Sequence, residues 1–190
     1  MAKLFEAIAN GDSGQVWRLI QDGAPLDQID DATEMTALAM AAESGAVEIV
    51  RMLLAAGADP DHGGPTTPLE AAVVEGHVEV ARTLIEASAD VHRRVADGFT
   101  PLMTAAATGN LPLVRLLLAA GARQRVENDL GETAISLAKA EGHDAIVQLL
   151  QEKRPRRSAA KPPEPAAAGS VREPPPDRAK ATGEVVGSDP

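Results

Sequence analysis

The chain has no cysteine and no tyrosine, and its aromatic side chains are three: Phe5, Trp17 and Phe99. Without cysteine there is no disulfide framework, no thiolate nucleophile and no Cys-ligated zinc. With aromatics at 2% of 190 residues, any core must come from Ala, Leu, Ile and Val, and the aromatic platforms on which bases stack are not supplied. Long apolar runs are missing too, so nothing approaches the length of a membrane span. Glu6 interrupts the short apolar segment of "MAKLFEAIANGD", unlike a secretory leader. The expected location is cytoplasmic, or nuclear if the source is eukaryotic.

Positive charge is scarce in most of the chain. Residues 1–151 hold ten Lys/Arg against 22 Asp/Glu, a formal −12, whereas residues 152–190 hold eight against six, a formal +2. So acidic a body repels phosphate backbones and anionic lipid surfaces. It favours basic or neutral partners, so neither a nucleic acid nor a membrane is expected. Leu, Ile, Met and aromatic residues vanish after residue 152, where eight of the 14 prolines lie. Such a stretch buries too little apolar surface to offset the entropy of ordering, and a disordered Pro/Ala-rich tail is expected over 155–190.

What is present is a period. "TALAMAAESGA", "TPLEAAVVEGH", "TPLMTAAATGN" and "TAISLAKAEGH" begin at Thr36, Thr67, Thr100 and Thr133, which are 31, 33 and 33 residues apart. A weaker copy, "LFEAIANGD", aligns Gly11 with Gly45, Gly76, Gly109 and Gly142. Each Thr reads as a helix N-cap, with Pro68 and Pro101 at the first helical position, where a missing N–H costs nothing. The glycine ends this alanine-rich helix in a left-handed conformation. A second helix follows with helical apolar spacing, as in Val47, Ile49, Val50, Leu53 and Leu54. One such pair has too little core of its own, so neighbours must stack.

"TPL", the alanine pairs, the "GH" of Gly76–His77 and Gly142–His143, the Leu-Leu pairs and "AAGAD" at 55–59 together resemble the ankyrin repeat family. The resemblance implies an all-α solenoid of about five stacked helix-turn-helix repeats over 1–154, divided near 1–33, 34–64, 65–97, 98–130 and 131–154. Four departures carry expectations. The family's "TPLH" histidine is replaced by Ala39, Glu70, Met103 and Ser136, so its hydrogen bonds are absent or remade. Pro gives way to Ala37 and Ala134. The loop "DPDHGGPT" is two residues shorter than its counterparts, which argues against a full β-turn finger there. Ser88 stands where a left-handed glycine is expected, at a cost of roughly 1 kcal/mol.

"GDSG" at residues 11–14 matches the string around a chymotrypsin-type nucleophile. That arrangement needs His and Asp before the Ser on a β scaffold. The first histidine is His62, so Ser13 is instead an exposed residue of a helix start, capped by Asp12 with Gln15 three residues on. Asp59, Asp61 and His62 share "DPDHGG", but nothing completes a ligand set at helical or finger-like spacing; a polar turn and no metal are expected. His77 and His143 occupy the family's structural position, and His92 lies in a loop with no role legible around it. Arg51, Arg82 and Arg115 repeat one slot of the second helices, paired with Glu48 and Glu79 in the first two. Trp17 falls in that same water-facing slot, as a cover for the end of the stack or an anchor for a partner. "KRPRR" at 153–157 reads as a solvated basic tail or a nuclear signal, and "PPEP" at 162–165 as an ordinary feature of a Pro-rich segment.

No cofactor and no catalytic group are expected. A monomer is expected, and the resemblance implies a protein-binding module that uses its concave face: finger tips plus the exposed side of the first helices. Carried over position by position, that face includes Met35, Thr66, Asp97, Phe99, Leu130 and Glu132 on the fingers and Glu43, Val74, Glu75, Thr108 and Glu141 on the helices. Apolar anchors ringed by carboxylates suit a basic or amphipathic segment of another protein. The alternative is a scaffold or spacer whose Pro-rich basic tail carries the binding.

Overall fold

The computed structural model describes residues 2–152. The expected tail over 155–190, "KRPRR" and "PPEP" lie outside the described residues. Five helix pairs make up the rest: α1 (Ala2–Ala9) and α2 (Ser13–Gln21), α3 (Ala37–Glu43) and α4 (Val47–Ala55), α5 (Pro68–Val74) and α6 (Val78–Glu86), α7 (Pro101–Ala107) and α8 (Leu111–Ala119), α9 (Ala134–Ala140) and α10 (Asp144–Gln151). The fold is all-α, a helical solenoid. Among the described residues the only β pairing is an isolated bridge between Ile29 and Thr36.

Local chemistry starts and stops these helices. Thr36, Thr67, Thr100 and Thr133 hold extended backbone and accept, through their hydroxyls, the N–H of Ala39, Glu70, Met103 and Ser136. Each satisfies one of the orphan donors of a first turn. Asp12 caps α2 in the same way, accepting the Gln15 N–H at 2.9 Å. Gly11, Gly45, Gly76, Gly109 and Gly142 all hold positive φ between the helices of a pair. A left-handed residue there lets the chain reverse within three residues, and any side chain would cost more than glycine.

Each pair then stacks on the next. α1, α3, α5, α7 and α9 form one layer, and α2, α4, α6, α8 and α10 the other. Alanines at the shared surface, including Ala41, Ala42, Ala71, Ala72, Ala105 and Ala106, are buried and let the first helices approach closely. Leu38, Leu69 and Leu102 of the first layer pack with Leu53, Leu84, Leu113 and Leu117 of the second. Full burial of one such leucine is worth about 1.5–3 kcal/mol. One helix pair therefore gains little, and the stack gains through its continuity.

Three loops between pairs form closed fingers. The N–H of Asp30, Val95 and Asn128 donates to the carbonyl of Met35, Phe99 and Glu132 at 2.9 Å in each case. The shortened loop over 59–66 has no such closure, as its length implied. It lies against the preceding finger instead: a Cβ on Gly64 would collide with the Glu34 carbonyl, and Thr36 Oγ1 donates to the His62 carbonyl at 3.2 Å. Ser88 has φ +72°, the left-handed conformation expected of it.

Two surface expectations need correction. Ser13 is the first residue of α2 but is half-buried rather than exposed, a position in the first turn next to the Asp12 cap. Of the two expected helix ion pairs, Arg82 Nε meets Glu79 Oε1 at 3.5 Å, while Glu48 and Arg51 form none. Both of the latter are exposed, where such a pair contributes little against side-chain entropy.

Candidate protein-binding face

Finger tips and the ends of first helices meet in a depression between the loops at 30–36 and 59–67. It is a groove of about 280 Å³ lined by Thr33, Glu34, Met35, Glu43, Pro65, Thr66, Ala71, Val74 and Glu75. Five residues carried over from the family pattern (Met35, Glu43, Thr66, Val74 and Glu75) meet in it. Val74 is 50% exposed although it is apolar, and Met35 is packed partly against the core. Three carboxylates and no basic side chain line the groove.

The other expected residues lie further along the stack. Leu130 tips its finger at 77% exposure, the most exposed large apolar residue among those described. Its N–H donates to Asn128 Oδ1 at 3.1 Å, so the backbone beneath it is fixed. Asp97 is exposed with φ +56°, and its carbonyl accepts the Asp129 N–H at 3.0 Å, tying consecutive fingers together. Phe99 is only partly exposed and packs against the core, so its ring serves the fold as well as the surface. Glu132 is engaged inside its own finger: its carboxylate accepts Asn128 Nδ2 at 2.9 Å. Glu43, Glu75, Thr108 and Glu141 are exposed at the C-terminal ends of α3, α5, α7 and α9.

The four replacements of the "TPLH" histidine behave differently. Ala39 and Met103 are fully buried and make no side-chain hydrogen bond. Ser136 closes a capping box, its Oγ accepting the Thr133 N–H at 2.8 Å. Glu70 has the least ordinary environment. Its carboxylate is buried at 5% exposure, Oε1 accepts Thr104 Oγ1 of the next unit at 2.5 Å, and Oε2 has no partner. Burial pushes its carboxyl above the ordinary 4.5, and the Thr104 hydrogen bond opposes that only in part.

His77 and His143 are structural, and the structure shows what they hold. Their Nε2 atoms meet the Glu43 and Ala107 carbonyls of the preceding unit at 2.9 and 3.0 Å. Each ring lies against a glycine, Gly45 or Gly109, where a Cβ would overlap it. "DPDHGG" is a turn: Asp59 Oδ1 accepts the Asp61 N–H at 2.9 Å, and Asp61 Oδ1 accepts the Asp90 N–H at 2.8 Å. Trp17 is 54% exposed on α2. Ser13 makes no side-chain hydrogen bond among the described residues, and no group of three or more His, Asp or Glu there is arranged to hold a metal. No helix among them is long and apolar enough to cross a membrane.

One cluster was not legible in the sequence: His92, Arg94 and Arg123 line a single cleft between the loops after α6 and α8. Arg123 is about thirty residues from the other two in the chain, and only an alignment of the two loops by their buried alanines, Ala89 and Ala122, would have paired them.

No curated protein matches the chain significantly. A family model described as ankyrin repeats (3 copies) matches residues 4–95 and 88–159. Ankyrin repeats are typically non-catalytic and imply a protein–protein interaction module. With its Thr-capped helix pairs, its left-handed glycines and this match along nearly all the described residues, the chain belongs to the ankyrin repeat family.

Proposed function

We propose that the chain is a non-catalytic module that holds a basic or amphipathic segment of another protein on its acidic concave face, centred on the groove between Met35 and Val74. The observation that carries this reading is the lining of that groove, where apolar Met35, Ala71 and Val74 sit among Glu34, Glu43 and Glu75. A lysine or arginine can lay its methylene stem on Val74 and place its charge among the carboxylates. Exposed apolar surface of this kind, ringed by charge, supplies both burial and orientation. Leu130 and Asp97 extend the same face toward the later units.

The test is titration of the full chain with a labelled peptide of alternating Arg and Leu, beside a control in which Glu replaces Arg. Binding should favour the Arg peptide, weaken with salt, and weaken about tenfold, or about 1.4 kcal/mol, in Val74→Lys. Leu130→Ala is the clean probe of the distant finger, because Phe99→Ala would also disturb packing. Equal binding of both peptides, or unchanged binding in Val74→Lys and Leu130→Ala, refutes the reading. Loss of binding on deletion of residues 155–190 would move the site to the tail.

A further inference from the structure

Successive units are joined by a ladder of aspartates, and the ladder is broken at one rung. Three residues after the alanines Ala24, Ala58 and Ala89, the first partly and the other two fully buried, stand Asp27, Asp61 and His92. The Asp27 carboxylate accepts the Asp59 N–H at 3.0 Å, and the Asp61 carboxylate accepts the Asp90 N–H at 2.8 Å. In the third rung the donor would be the Arg123 N–H and the acceptor residue 92. Residue 92 is a histidine, and the Arg123 N–H donates to nothing among the described residues.

At this rung lies a cleft of about 170 Å³ whose lining includes His92, Arg94 and Arg123 and no acidic side chain. Around it the body of the chain is strongly acidic. Arg94 is held in place by Asp129, its Nη2 lying 2.8 Å from Oδ1, and Gly98 leaves room for the guanidinium to pass. Arg123 forms no ion pair among the described residues. The floor is apolar and buried, with Val91 and Leu102, and beside it lies the buried hydroxyl of Thr100. The Thr100 oxygen accepts the Met103 N–H, and its own hydrogen has no acceptor among the described residues.

We propose that this cleft binds a carboxylate carried on a short apolar stem, seated in the third rung where Asp27 and Asp61 supply carboxylates to the first two. One carboxylate oxygen accepts the Arg123 N–H, the other faces the Arg123 guanidinium, and the stem rests on Val91 and Leu102. Charge-assisted bonds of this kind are the stronger ones, and a guanidinium fork suits a planar carboxylate. The site is separate from the acidic groove and does not depend on it. The carboxylate comes either from a free short-chain acid or from a Glu side chain of a peptide.

The test is amide NMR of the full chain, titrated in parallel with butyrate, butyramide, inorganic phosphate and a blocked Ala-Glu-Ala peptide. The Arg123 amide resonance should move saturably with butyrate or with the peptide, and which of the two identifies the source. It should not move with butyramide, which has the stem without the charge. His92→Asp restores an internal carboxylate. Its unliganded Arg123 amide should resonate where the ligand drives the parent, and its affinity should fall at least tenfold. Arg123→Gln keeps the backbone donor, loses the guanidinium, and should weaken binding by a similar factor whether or not His92→Asp folds. The proposal is overturned if neither carboxylate moves the resonance, if butyramide or phosphate moves it equally, or if both variants bind like the parent.

Discussion

Glu70 makes the protein less stable as pH rises, and replacing it with methionine should remove that loss. Methionine is the protein's own choice at the same position one unit later, where Met103 is fully buried. The folded carboxyl is raised above 4.5 by burial, so the folded state holds its proton more tightly than the unfolded chain does. The stability tied to that proton is fully present below the unfolded value, near 4.5. It is lost as pH rises through the folded value. Once ionised, the group sits at 5% exposure with Oε2 unpartnered, a state that costs about 1–3 kcal/mol and more for a full charge. Against this stands the bond from Thr104, which offsets the burial only in part, so a net cost of the ionised form remains. The pH dependence reads that net cost. Glu70→Met should gain on the parent as pH rises from 4.5 through the folded value, by about 1–3 kcal/mol once the carboxyl is fully ionised. That corresponds to roughly 2–4 °C in Tm per kcal/mol for a chain of this size. Urea unfolding followed by far-UV circular dichroism at half-unit pH steps measures this, and subtracting the two profiles removes every group the proteins share. Parallel profiles, or a parent that gains on the variant as pH rises, would refute the assignment of a destabilising buried carboxylate.

Ser88→Gly should stabilise by about 1 kcal/mol, because φ +72° is strained for serine and open to glycine; an unchanged urea midpoint would contradict it. Gly109→Ala and Gly142→Ala form a matched pair, since both glycines hold φ near +75° but only Gly109 faces a histidine ring. Both variants should lose about 1–2 kcal/mol to backbone strain. Gly109→Ala should lose about 0.5–1.5 kcal/mol more as the His143 bond to Ala107 breaks. Equal losses would mean that the ring contact contributes nothing.

Much of the fold was legible because its signals are short-range. Thr67 caps an N–H three residues away, Gly76 reverses the chain within one turn, and Ser88 sits at a position whose conformation its neighbours dictate. The truncated finger at 59–66 followed from counting residues between threonines. The site was legible only in outline. Val74 and Leu130 fall at exposed positions of the repeat, yet the repeat alone did not tell that Phe99 and Met35 are half-committed to the core, or that Glu132 is held by Asn128. Those outcomes depend on which neighbour a side chain meets after stacking.

By itself, then, the sequence determined the helix pairs, their caps, their period and the need to stack, because each is written within a few residues and repeated. Only the tertiary structure decided what happens between units. It set Glu70 against Thr104, laid His143 over Gly109, left the Arg123 N–H without the carboxylate that its counterparts have, and gathered Met35, Glu43 and Val74 into one groove. These partners lie about one repeat apart, and the period specifies that they are neighbours without specifying whether the side chain at each slot can donate, accept or merely fill space.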